Sequence, residues 1–233
     1  MKVHALFPVA KLKIDDSINK TTTKSTSSYT ISKHKYSPIV IIASSTGGPR
    51  ALRTVVPHLT RDAGVSYVII QHLPEGFSGP LAEDLNNCSE LDVIEPEDGH
   101  MLMPGQALFA KAGYHLVFDA TSRAKLTKAP PLWGVRPSAD ITMVSAVEVF
   151  GSRLISVVLT GMGRDGAEGT KLIKKAGGVT LAEDESTCVV YGMPRAAFET
   201  GCVDKVVPLN KMAEVVNDTI REVAMQKPRG SAA

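Results

Sequence analysis

A chain of 233 residues with 43% hydrophobic and 21% charged side chains has the composition of an ordinary globular protein, with room for one large domain or two small ones. Its 26 basic and 24 acidic side chains leave a net charge of +2, and aromatic residues make up 5%, which argues against a nucleic-acid partner and a base-stacking surface. Three scattered cysteines (Cys88, Cys188, Cys202) with no Cys-x-x-Cys pattern suggest neither a disulfide framework nor a zinc site; with apolar runs too short for membrane insertion and no secretory signal, a cytoplasmic location is expected.

Residues 1–37 read as a linker. Within them, Ser17 to Ser37 holds 11 Ser or Thr and four Lys among 21 residues, too little apolar surface to offset the entropy of ordering. The folded domain is expected over 38–225, with 226–233 as a flexible tail. From Pro38 strands alternate with helices. "PIVIIAS" is a buried strand by composition, followed by a helix carrying Leu52, Val55, Val56 and Leu59 on one face. "VSYVIIQ" is a second strand and "FSGPLAEDLNN" a short helix. "DVIEP", "QALFA" and "YHLVFD" are short strands broken by Gly, Pro and Asp, which predicts an antiparallel excursion. A helix over "SADITMVSAVEVFG" follows, capped at Arg136-Pro137-Ser138. Then come a strand in "RLISVVLTG" and a helix in "DGAEGTKLIKKAGG" ending at a Gly cap. "VTLAED" and "CVDKVVPL" are strands flanking a helix that starts near Pro194, and "NKMAEVVNDTIREVA" closes the domain as a helix. The alternation defines an α/β fold: a doubly wound, mostly parallel sheet with helices on both faces and a small antiparallel hairpin excursion.

In such a sheet ligands bind beyond the carboxyl ends of the strands, which directs attention to three loops. Ser44-Ser45-Thr46-Gly47-Gly48 follows the first strand, Gln71-His72-Leu73-Pro74 the second, and Thr160-Gly161-Met162-Gly163-Arg164-Asp165-Gly166 the strand "ISVVL". Each has a simple structural reading: Ser45 as a helix cap, His72 as a partly buried histidine, Asp165 as a residue placed on a helix dipole. Gly47 and Gly48 could also offer amides to an anion. Gly161 to Gly166 is moreover a literal G-x-G-x-x-G between a strand and a helix, with Glu183 and Asp184 about 20 residues on, the setting of a dinucleotide site. Asp165 at the helix start opposes that reading, since a carboxylate there repels phosphate. Together, a hydroxyl, an imidazole and a carboxylate leaving different strand ends supply the three groups of a hydrolytic triad. The G-x-S-x-G elbow of common α/β-hydrolases is absent.

The segments "ASSTGGP", "QHLPEGFS", "RPSAD" and "LTGMGRDGAEG", in that order, resemble the signature segments of bacterial and archaeal chemotaxis protein-glutamate methylesterases (CheB), over about Pro38 to Ala224. The resemblance implies a Ser45–His72–Asp165 triad, with the Met162 amide as oxyanion donor and one near Thr46 beside it, and no metal or cofactor. It implies hydrolysis of glutamate γ-methyl esters on chemoreceptor cytoplasmic helices and deamidation of selected receptor glutamines. Gly47 and Gly48 are expected to leave room for a broad helical substrate to approach the hydroxyl. Ser44 stands where the family usually has Ala. Family members typically carry an N-terminal receiver domain; with 37 residues ahead of the catalytic part, a catalytic domain with its linker or a stand-alone enzyme is expected.

Overall fold

The computed structural model describes residues 37–62 and 64–225; the linker reading for 1–37, Ser37 apart, and the tail reading for 226–233 lie outside the described residues. Among the described residues nine strands and six α-helices follow in order: β1 Ile39–Ser44, α1 Gly48–Val55, β2 Ser66–Gln71, α2 Ser78–Asn87, β3 Asp92–Ile94, β4 Gln106–Phe109, β5 His115–Phe118, β6 Ala124–Thr127, α3 Ala139–Phe150, β7 Leu154–Val158, α4 Ala167–Lys175, β8 Val179–Glu183, α5 Met193–Phe198, β9 Lys205–Val207 and α6 Leu209–Met225. Seven strands form one sheet in the order β3-β4-β2-β1-β7-β8-β9, and every pair in it is parallel.

The apolar run of β1 is buried throughout because both faces of the sheet are covered. Val40 and Ile42 join a core with Leu52 and Val55 of α1, Leu81 and Leu85 of α2, and Met212, Val216 and Ile220 of α6. Ile39, Ile41 and Ala43 face the other way, onto Met143 and Ala146 of α3, Ile173 of α4 and Met193 of α5. A strand period of two thus lies hidden inside a continuous hydrophobic run, and each fully buried Val, Leu or Ile contributes about 1.5–3 kcal/mol. α4 ends as its sequence predicts: Gly177 has φ +86°, and the amides of Gly177 and Gly178 return to the carbonyls of Lys174 and Ile173.

One expectation is corrected. "DVIEP" and "QALFA" are not part of an antiparallel excursion. They become β3 and β4, which pair parallel with each other, and β4 pairs parallel with β2. The crossover between them, residues 95–105, contains no helix, so the usual sign of a parallel connection is missing. The antiparallel element is the pair of β5 with β6, the latter lying in "AKLT".

The chain leaves β1 for β2 on one side, and β7 enters on the other. The strand order therefore reverses at β1, and the crevice beyond its carboxyl end is the binding position of this sheet class.

Candidate active site

Ser44 and Gln71 are paired residues at the ends of β1 and β2, so Ser45 and His72 leave two neighbouring strands side by side, where strands lie roughly 4.8 Å apart. The His72 amide donates to Ser44 O at 3.1 Å, and the Ser45 amide donates to Thr160 O at 3.0 Å on the β7 side. Ser45 is thereby flanked by the His72 loop and the Gly161 loop. Gly161 has no room for a side chain: a Cβ there would stand 2.8 Å from Ser45 Cβ and 2.4 Å from Met193 Sδ. The Gly161 backbone thus passes close to Ser45, and Met162 is the next residue in the chain.

The two adjacent serines have different jobs. Ser44 is fully buried and donates its Oγ–H to Gln71 Oε1 at 2.7 Å. Gln71 Nε2 in turn donates to the carbonyls of Ser45 and His72, both at 2.9 Å. Ser44 is thus committed to holding the two strand ends together. Ser45 is only half-buried, and among the described residues its hydroxyl makes no hydrogen bond.

His72 Nε2 lies 2.8 Å from Asp165 Oδ2, with side-chain exposures of 9% and 3%. Asp165 accepts three further bonds, all from the start of α3: from Ser138 Oγ at 2.7 Å, Ala139 N at 2.6 Å and Asp140 N at 3.0 Å. Burial works against its charge, but the hydrogen bond and charge of His72, with the Asp140 amide and Ser138 hydroxyl, hold its carboxyl below the usual range. An ionised Asp165 accepts only, so His72 Nε2 carries the proton. Nδ1 is left as the basic nitrogen of the ring.

The amides of Thr46 and Met162 have no hydrogen-bond acceptor among the described residues, which leaves both free for a developing negative charge. Behind them stands a hub absent from the sequence reading. Thr160 N donates to the buried Glu183 at 2.8 Å, while Thr160 Oγ1 donates to Thr46 O at 3.0 Å and accepts from Val190 N at 2.9 Å. Burial raises the pKa of Glu183, against the bond from Thr160 N. Glu183 therefore supports the loops around Ser45 and is not poised for a ribose.

The glycine-rich loops carry internal constraints of their own. Gly47 has φ +84°, and a Cβ there would lie 2.6 Å from Val189 Cβ; one on Gly48 would lie 1.8 Å from Gln71 Oε1. Backbone conformation at Gly47 and the protein's own packing at both positions thus already require glycine. The dinucleotide alternative fails on local geometry. The amides of Gly166 and Gly169, which would face a pyrophosphate at the start of α4, already donate to Asp140 Oδ1 at 2.9 and 2.8 Å.

A cavity of about 440 Å³ opens beside His72, lined by Leu73, Glu75, Pro131, Val135 and Arg136 among others. A larger one, about 640 Å³ among Arg61, Asn86 and Asp92, adjoins the amino end of β3, at the opposite end of the strands. Among the described residues no helix is long and apolar enough to cross a membrane, and no group of three or more His, Cys, Asp or Glu could hold a metal ion.

A doubly wound parallel sheet with serine, histidine and aspartate side chains beyond its strand ends defines the class: an α/β protein with its binding crevice at the switch point. The CheB methylesterase family pattern matches residues 40–216. A protein-glutamate methylesterase/protein-glutamine glutaminase of Clostridium acetobutylicum is 48% identical over 182 residues, which cover 78% of this chain and 53% of that protein. Its counterpart in Pyrococcus horikoshii is 47% identical over 182 residues, covering 76% of this chain and 49% of that one. The crystal structure of the Thermotoga maritima CheB methylesterase catalytic domain superposes with a TM-score of 0.75 at 41% identity, covering 80% of this chain and 98% of that one. The chain belongs to the CheB methylesterase family, and it spans about half the length of the curated relatives it matches.

Proposed function

We propose that this chain is a cytoplasmic serine hydrolase that removes methyl groups from glutamate γ-methyl esters on chemoreceptor cytoplasmic helices and deamidates receptor glutamines at the same centre. The observation that carries the reading is the buried His72–Asp165 pair at 2.8 Å beside Ser45 on the next strand end. The names of the curated relatives support the choice of substrate.

His72 Nδ1 takes the proton as Ser45 Oγ attacks the ester carbonyl, a form of general-base assistance that supplies about 10²–10⁴-fold. Asp165 keeps the other ring nitrogen protonated and stabilises the imidazolium. The tetrahedral oxyanion accepts from the Thr46 and Met162 amides; each such donor is worth about 10²–10³-fold. His72 returns the proton to the departing methoxide, and methanol leaves. A water molecule, deprotonated by the same nitrogen, then attacks the acyl-serine and releases the glutamate carboxylate. With a glutamine substrate the leaving group is ammonia.

A protein-sized substrate suits the rim. Phe77, Trp133, Met162 and Val189 are 62%, 48%, 75% and 56% exposed, and all sit in loops rather than in α-helices or strands of the sheet. On this reading they serve as contacts for the receptor, the role that a gathered apolar patch fills. The test is methanol release from a methyl-esterified chemoreceptor cytoplasmic fragment: wild type releases it and Ser45→Ala does not. Release that persists in Ser45→Ala refutes the assignment.

A further inference from the structure

The starts of α3 and α4 exchange caps. Asp165, which precedes α4, accepts from Ser138, Ala139 and Asp140 at the start of α3. Asp140, in the first turn of α3, accepts from Gly166 and Gly169 at the start of α4. Asp140 is 1% exposed, and its second oxygen accepts from Trp133 Nε1 at 3.0 Å.

Trp133 and Gly134 form a two-residue turn between Leu132 and Val135, whose backbones bond to each other at 3.2 and 3.0 Å. Both turn residues have positive φ, +54° at Trp133 and +78° at Gly134. A tryptophan pays for this conformation where glycine would not. Its ring is held from two sides, by Asp140 and by the Arg164 guanidinium 4.9 Å above it. Arg164 is the neighbour of Asp165 in sequence.

We propose that Asp140 is a positioning residue of this active site, which locks the Asp165 loop and the Trp133 turn into one rigid unit. The inference rests on the reading of Asp165 as the acid partner of His72. A simple helix cap needs no carboxylate at this place, because Ser, Thr or Asn would serve. Asp140 instead sits beside Asp165, and burial together with that like charge pushes its pKa up to about 6. The charged groups around it are Asp165, with His72 beyond it, and Arg164 across the indole ring. The site thus keeps an unfavourable charge where three donors converge from the start of α4 and the Trp133 turn. Without it, the Gly166 and Gly169 amides at the start of α4 and the Trp133 indole lose their common acceptor.

Three measurements test this. Trp133 is the chain's single tryptophan, so its fluorescence reports the protonation of Asp140 directly. A transition with a midpoint near pH 6 is expected in wild type and in His72→Gln, and none in Asp140→Asn. In the wild-type protein the amide resonances of Gly166 and Gly169 should titrate with that same midpoint. With the methyl-esterified receptor fragment, Asp140→Ala is expected to lower kcat about 100-fold, as misplacement by about 1 Å does, with KM within threefold. Asp140→Asn, which keeps an oxygen for the Gly166 and Gly169 amides, should recover kcat to within tenfold of wild type.

The proposal is overturned by a fluorescence transition that survives in Asp140→Asn, or by Gly166 and Gly169 amides that titrate elsewhere. It is equally overturned by a kcat within threefold of wild type in Asp140→Ala, by a loss confined to KM, or by an Asn variant no better than the Ala variant. Should Asp140→Ala not fold, the optical and resonance titrations decide. Those two require no turnover, so a failed hydrolase reading, seen as activity surviving Ser45→Ala, is distinguishable from a failed Asp140 assignment.

Discussion

Asp165→Asn replaces a four-way acceptor with a group that must donate somewhere. In wild type, Oδ2 accepts from His72 and Ala139, and Oδ1 from Ser138 and Asp140. If the new amide nitrogen takes the Oδ2 place, it opposes the fixed Ala139 N–H. It also donates to His72 Nε2, which moves the ring proton to Nδ1, the nitrogen that should receive the serine proton. If it takes the Oδ1 place, Ser138 can turn its hydroxyl to accept, but the Asp140 N–H is left opposed. Either way one buried backbone donor loses its acceptor, at about 1–3 kcal/mol. The first orientation also traps the wrong tautomer, a loss of about 10⁴-fold in kcat for a triad of this kind. Single-turnover methanol release, run beside a thermal melt, separates the two effects. A folded Asp165→Asn protein within tenfold of wild-type activity would refute the role given to this carboxylate.

Ser44→Ala removes a buried hydroxyl from Gln71 Oε1 and should cost about 1–3 kcal/mol in denaturant unfolding while leaving kcat within a few-fold; loss of activity without loss of stability would transfer the nucleophile to Ser44. Gly48→Ala drives a Cβ into Gln71, and a destabilisation of about 1–3 kcal/mol from overpacking should appear as a lowered Tm. An unchanged Tm would contradict the packing constraint at Gly48. The two aspartates give opposite pH dependences of stability. Asp165 has a folded pKa below its unfolded value, so its contribution is present above the unfolded value near 3.9 and is lost as pH falls through the folded one. Asp140 has a folded pKa raised to about 6, so the folded state binds the extra proton between about 4 and 6 and stability falls as pH rises through that window. Denaturant unfolding of wild type and Asp140→Asn across pH 4–7 checks the sign; a wild-type slope retained in the variant contradicts it.

The sequence declared Ser45, His72 and Asp165 because each lies just beyond a strand whose apolar run is easy to read, and the parallel sheet turns sequence position into spatial position. The signature segments then set them in one family pattern. Other features depend on which elements pack side by side, and periodicity carries no such information. Asp140 and Asp165 exchange caps only because α3 and α4 start next to each other. Thr160 and Glu183 meet only because β7 and β8 are neighbours. At Gly47 and Gly48 the sequence shows a missing side chain but not the Val189 and Gln71 side chains that an added Cβ would meet. The parallel pairing of β3 with β4 leaves no mark in the sequence because their crossover has no helix and so no helical pattern.

The central claim, that Ser45 is the activated nucleophile of a His72-based relay, is tested most directly by labelling with a fluorophosphonate and locating the modified serine by peptide mass spectrometry. Stoichiometric modification of Ser45, abolished in His72→Gln and in Asp165→Asn, is the predicted result. Modification at Ser44, or a Ser45 adduct that forms equally fast without His72, would contradict the account.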